Sequence, residues 1–156
     1  MNAPDGFPTN AIYGFIKTLD RMRERVKPTH IAVIWDGGLD EERLESLEDY
    51  KAERDPMPDD MSLQLDGIVQ WLEATGIFTW CHDGVEADDV IGTLARQAEA
   101  DDFTIIIASS DKDFFQLINS NICMLNPNDK TDTLWGDSQV EEKTGVLPNQ
   151  IVDWLS

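Results

Sequence analysis

The sequence predicts an α/β fold built on a mainly parallel sheet. Segments whose apolar residues recur at helical spacing alternate along the chain with short apolar runs, the pattern of strand–helix units. Two of those runs, Ile31–Trp35 and Thr104–Ala108, are almost continuously apolar, as strands buried on both faces are. The third observation is size. The chain has 156 residues, 41% of them hydrophobic and five of them Trp. That is the length of one domain, able to bury roughly two-thirds of its surface without help from disulfides or zinc.

The elements follow in order. Ile12, Phe15, Ile16, Leu19, Met22 and Val26 form the stripe of a helix over residues 11–26, with Thr9 or Asn10 as its N-cap and Pro28 as its stop. The strand Ile31–Trp35 ends at Asp36 and Gly37-Gly38. Residues 41–54 are helical in propensity but densely charged, and Pro56 and Pro58 close them. Met61, Leu65, Ile68, Val69 and Leu72 mark the next amphipathic helix, with Gly76 as its C-terminal cap. A short strand covers Ile77–Cys81, a helix residues 86–100, and a strand Thr104–Ala108. Lys112–Ile118 reads as a short helix. Ile122–Leu125 and Thr131–Trp135 read as two short strands about a turn at Asn126-Pro127-Asn128. Two short helices close the chain near 137–144 and 148–155, the second opened by Pro148.

Charge and cysteine usage bound the function. There are 12 Lys and Arg against 31 Asp and Glu, a net charge of -19, which argues against a protein that coats phosphates with cations. The positive charge is local: Lys17, Arg21, Arg23, Arg25 and Lys27 are five of the twelve bases. Cys81 and Cys123 lack C-x-x-C spacing and are expected as buried, reduced thiols in the cytoplasm. His30 and His82 follow no ligand pattern and are expected as structural or surface residues. No apolar run approaches the ~18 residues a membrane span needs, and the polar first ten residues do not resemble a signal peptide.

Chemistry is expected at the carboxyl ends of the strands, where open parallel sheets form their sites. Asp36 follows the first strand. Glu86, Asp88 and Asp89 follow the second, and Asp111 and Asp113 the third. Each alone could be an N-cap or a partner of a helix dipole. Six carboxylates brought together would repel one another unless cations were bound. An oxygen-only donor set suits Mg²⁺ or Mn²⁺ better than zinc, with Ca²⁺ chemically open although no EF-hand pattern is present. With no Ser or Cys nucleophile motif, no P-loop and no dinucleotide fingerprint, the leading expectation is phosphodiester hydrolysis by a metal-activated water, with two ions.

The stretches PTNAIYGFIKTL, PTHIAVIWDGG, YKAERDPMPDDM, GVEADDVIGTLARQAE and IASSDKDFFQLI resemble the bacterial 5′→3′ exonuclease family. That family includes the N-terminal nuclease domain of DNA polymerase I and is related to flap endonucleases. The resemblance runs over about residues 8–155. It implies a PIN-like three-layer α/β/α fold and a two-metal enzyme that cuts DNA at 5′ ends or flaps, in replication and repair, with a polymerase as a candidate partner. It also implies that Asp36, Glu86, Asp88, Asp89, Asp111 and Asp113 are the metal ligands. Residues 40–60 would form part of a helical arch, where Lys51 stabilises the scissile phosphate, Arg54 and Arg43 hold phosphates and Tyr50 stacks on a base. The chemistry fits, since fixed cations stabilise developing charge and an aromatic face accepts any base. Ordinary helix packing for Tyr50 and a solvated face for Lys51 and Arg54 are the alternatives.

Against the family pattern three departures are expected. The family's first strand and its Asp are missing before Thr9-Asn10-Ala11. The downstream Asp pair and helix–three-turn–helix are missing after Leu155, which would make the chain a single nuclease domain over 1–156. Residues 40–66 hold eleven acids against three bases, an unusually acidic arch. The rival readings are a catalytically impaired metal-binding fragment and a PIN-type ribonuclease. The E-A-D-D and Y-K-x-x-R spacing favours the DNA family over the latter. Net charge does not veto a metal-dependent nuclease, but it predicts weak, strongly metal-dependent DNA binding.

Overall fold

The computed structural model describes residues 3, 6–37 and 59–155. The helix expected over 41–54, with Arg43, Tyr50, Lys51 and Arg54, lies outside the described residues. The chain divides into two compact units, Met1–Ala87 and Asp88–Ser156.

In the first unit, α1 (Asn10–Val26) is followed by β1 (Ala32–Ile34), α2 (Asp59–Ala74) and β2 (Phe78–Trp80). The apolar stripe of α1 turns inward and meets α2. Leu19, Ile68 and Leu72 are buried, and Ile12, Phe15, Met22, Val33, Trp35, Leu65, Trp71 and Ile77 pack around them. Thr9 occupies the N-cap position but makes no side-chain cap bond. The buried Gln64 of α2 supplies an acceptor instead, its Oε1 taking the Ala11 N–H at 2.7 Å. An orphan amide of the helix start is thus satisfied by a tertiary partner, which local capping rules cannot foresee. At the other end Lys27 takes a left-handed conformation and donates its N–H to the Arg23 carbonyl at 2.7 Å. Pro28 then disfavours further helix. α2 ends as its sequence predicts. Gly76 has φ +71°, its N–H bonds the Glu73 carbonyl, and the Ile77 N–H reaches back to Leu72, the double bond of a Schellman cap.

β1 and β2 are parallel, with Ala32 opposite Phe78, Val33 opposite Thr79 and Ile34 opposite Trp80. The Trp35 N–H continues the ladder to the Trp80 carbonyl at 2.9 Å. Its indole Nε1–H donates to Thr79 Oγ1 at 2.6 Å, and its ring lies 6.0 Å from that of Phe15.

The second unit takes in α3 (Ala87–Ala100), which begins one residue before the boundary. Then come β3 (Ile105–Ala108), a 3-10 helix (Lys112–Leu117), β4 (Ile122–Leu125), β5 (Leu134–Trp135), α4 (Asp137–Thr144), a 3-10 turn (Pro148–Gln150) and α5 (Ile151–Leu155). β3 pairs in parallel with β4 and β4 antiparallel with β5. Residues 109–121 form the crossover that a parallel pair requires. Ala95, Ile107, Phe114, Phe115, Ile118, Ile122, Met124, Val140 and Ile151 are the buried core. The Phe115 and Trp135 rings stack at 5.4 Å and 13°, and the Lys143 ammonium sits 4.8 Å over the Trp135 ring. The Asn119 amide and the Arg96 guanidinium both donate to the Glu99 carboxylate.

The fold is α/β and its strand pairing is mainly parallel, as the apolar runs predict. The described ladders fall into a two-stranded and a three-stranded sheet. Periodicity identifies strands but carries no information about which ladders join. Both cysteines are free. Cys81 is exposed rather than buried, because β2 leaves its sheet at Trp80. Cys123 is half-buried, and burial, followed by the negative charge of Asp137, raises the pKa of its thiol. No described helix is long and apolar enough to cross a membrane.

Candidate active site

The first unit brings two of the six sequence-predicted carboxylates onto neighbouring loops. β1 runs into Asp36-Gly37, and β2 runs into His82-Asp83-Gly84-Val85 before Glu86. The second loop closes on itself through the Val85 N–H to the His82 carbonyl at 3.2 Å, with Gly84 at φ +75°. The two loops are then tied together by the Gly37 N–H, which donates to the Val85 carbonyl at 3.2 Å. Asp36 and Glu86 are the residues flanking that bonded pair. Asp36 is exposed and Glu86 is half-exposed.

Gly37 makes this approach possible. A Cβ at that position would run into the His82 carbonyl and stand 3.2 Å from the Asp83 amide nitrogen. Backbone cannot yield as a side-chain tip can. Gly37→Ala is therefore expected to part the two loops and to destabilise the fold by about 1–3 kcal/mol. Urea unfolding monitored by Trp fluorescence would measure it, and an unchanged midpoint would refute the close approach. In the sequence Gly37-Gly38 marks only the end of a strand, and this role is not foreseen. The signal available was the pair of small residues directly after an acidic strand end.

In the second unit Asp88 and Asp89 stand exposed in the first turn of α3, where the positive end of the helix dipole favours negative charge. The Asp89 carbonyl accepts the Thr93 hydroxyl at 2.8 Å. The loop after β3 is held by the Ser109 N–H on the Leu125 carbonyl, and Ser109 Oγ accepts the Asp111 N–H at 3.1 Å. Asp111 is the N-cap of the 3-10 helix, its Oδ1 accepting the Asp113 N–H at 3.0 Å. The capping role open to any Asp after a strand is thus realised at Asp111, and it commits one of the two carboxylate oxygens. Asp113 lies exposed in the first turn.

Each unit thus carries its acidic residues just beyond parallel strands, at the ends where sheet sites form. Among the described residues, no three His, Cys, Asp or Glu side chains come together in a group that could hold a metal ion. The donor set itself is all oxygen, and that chemistry fits a hard divalent cation. His30 is exposed and its Nδ1 is within hydrogen-bond distance of the Thr29 hydroxyl at 2.9 Å, a surface role as expected.

The fold is similar to that of the bacteriophage T5 5′-exonuclease. The structure matches a bacteriophage T5 5′-exonuclease mutant with a TM-score of 0.71 at 20% identity, over 94% of this chain and 54% of that one. It matches a T5 protein co-crystallised with metal ions with a TM-score of 0.66 at 19% identity, over 93% of this chain and 56% of the other. The chain belongs to the 5′-3′ exonuclease family, matching the model of its N-terminal, resolvase-like domain over residues 1–145. The 5′-3′ exonuclease of Aquifex aeolicus is 35% identical over 156 residues, covering 100% of this chain and 53% of that protein. DNA polymerase I of Pseudomonas aeruginosa is 38% identical over 156 residues, covering 100% of this chain but 17% of the polymerase. The chain therefore spans about half the length of the first relative and a much smaller part of the second.

Proposed function

We propose that the chain is the nuclease domain of a 5′→3′ DNA exonuclease or flap endonuclease that hydrolyses phosphodiesters with the help of a divalent metal. The observation that carries this reading is the family match over residues 1–145, together with the E-A-D-D and S-D-K-D blocks at the ends of β2 and β3. Asp36, Glu86, Asp88, Asp89, Asp111 and Asp113 would hold Mg²⁺ or Mn²⁺, two ions by resemblance to the family. The bound ions would supply Lewis-acid polarisation of the phosphodiester and acidify the attacking water. The protein's own part is to hold these oxygens on rigid loops. The cap bond to Asp113 orients the Asp111 carboxylate, and the Gly37–Val85 bond keeps Asp36 beside Glu86. Lys51 would stabilise the charge that develops on the scissile phosphate, a contribution that a fixed cation makes without reorganising, and Arg54 would hold that phosphate in place. Arg43 would hold a neighbouring phosphate and Tyr50 would stack on a base.

DNA with a 5′ end or flap is the proposed substrate, and a polymerase the proposed partner, because relatives named DNA polymerase I contain the matching segment. The free cysteines suit the cytoplasm. The test is incubation of a 5′-labelled flap or nicked duplex with the protein and Mg²⁺ or Mn²⁺. Short labelled products that vanish on chelation are expected, and intact substrate with either ion would overturn the enzymatic reading. A second reading is a catalytically impaired, divalent-metal-binding fragment of such a nuclease. Calorimetric binding of Mg²⁺ without cleavage would select it. Faster cutting of a matched RNA flap would select a PIN-type ribonuclease.

A further inference from the structure

Side chains along a strand alternate between its faces, so Phe78 and Trp80 project from one side of β2, and His82, just past its end, stacks on Trp80. The other side is occupied, since Ile77 packs on the core and Thr79 accepts the Trp35 indole N–H. Trp80 and His82 belong to neither buried cluster among the described residues. Their rings lie 19° from parallel with centroids 6.0 Å apart. His82 is exposed, and Phe78 at the start of the row is 59% exposed. The imidazole is oriented by its Nδ1–H, which donates to the Asp83 carbonyl at 2.7 Å.

The position of this pair matters. His82 opens the loop whose Val85 carbonyl receives the Gly37 N–H, so the rings adjoin the loops that carry Asp36 and Glu86. Asp83, directly beside His82, disfavours a phosphate at that point, whereas the face of a nucleobase carries no charge. The whole chain has the same bias, with 12 cationic residues against 31 anionic ones. Stacking adds a grip on the strand through its bases, and it tolerates any base.

The geometry points to the Trp80–His82 pair as a stacking site for an unpaired base of the DNA strand that enters the proposed active site. This contact rests on the nuclease reading above and specifies how substrate is held there. It is tested with a cleavage-resistant phosphorothioate single strand carrying one 2-aminopurine, titrated with wild type, His82→Ala and His82→Phe. The exposed position of His82 lets both variants fold, which circular dichroism checks. Wild type is expected to quench the probe, His82→Ala to lose the quench and bind about tenfold more weakly, and His82→Phe to recover both. Equal quenching and affinity in His82→Ala, or a His82→Phe variant as weak as His82→Ala, overturns the stacking site and leaves the nuclease reading standing. A wild type that neither binds this strand nor cleaves a flap overturns both.

Discussion

Asp111→Asn is expected to keep the fold and to lower single-turnover cleavage of a 5′ flap by about 10²–10³-fold, the range seen when one fixed electrostatic group is lost from a site. The residue has two separable duties. As N-cap of the 3-10 helix it accepts the Asp113 N–H through Oδ1, and Asn caps as well as Asp. As a proposed ligand it contributes a negative charge, which Asn lacks. Asp111→Ala removes both and should in addition cost about 1 kcal/mol of stability. Thermal melts of the two variants, run beside cleavage assays, separate the duties. If Asp111→Asn cleaves like the wild type, Asp111 is only a cap and its assignment as a ligand falls.

Phe115→Ala is expected to destabilise the second unit by about 3–5 kcal/mol, the usual cost of emptying a buried aromatic site. Phe115 is 3% exposed and stacks on Trp135 at 5.4 Å, so both its volume and its ring contact are lost. Against a total stability of roughly 5–15 kcal/mol for a domain, that change would leave a large unfolded fraction near physiological temperature. Guanidinium unfolding followed by Trp fluorescence would report it. A shift below about 1 kcal/mol would mean that the core around β3 and β4 repacks freely, contrary to its close-packed state.

Most of the fold was legible because its signals are local and periodic. The stripe from Ile12 to Val26 became α1, the run at 104–108 became β3, and Gly76 capped α2 with the φ expected of it. Boundaries moved by a residue or so, and Thr131–Trp135 shrank to Leu134–Trp135 because Asp129 draws in both the N–H and the hydroxyl of Thr131 before pairing with β4 begins. What escaped prediction was tertiary. Gln64 sits on an amphipathic helix as any polar residue would, and nothing local says that it is buried against the start of α1. The role of Gly37 depends on a loop nearly fifty residues away. Of the proposed site, the acidic residues and their strand-end positions were legible from residue type and order. Their mutual distances were not, because spacing in sequence places a carboxylate at a strand end but does not set where its oxygens point.

The crowding at Gly37 bears on how variation in this family should be read. Gly92, on α3, would place an added methyl group 3.7 Å from Leu117 Cδ1, an ordinary contact, whereas Gly37 faces backbone that cannot step aside. In a saturation library selected for folding alone, position 37 should purge every larger residue while position 92 admits alanine. Invariance beside Asp36 would then record a steric limit on the main chain. A conserved glycine next to a candidate ligand is not, by its conservation, a participant in chemistry.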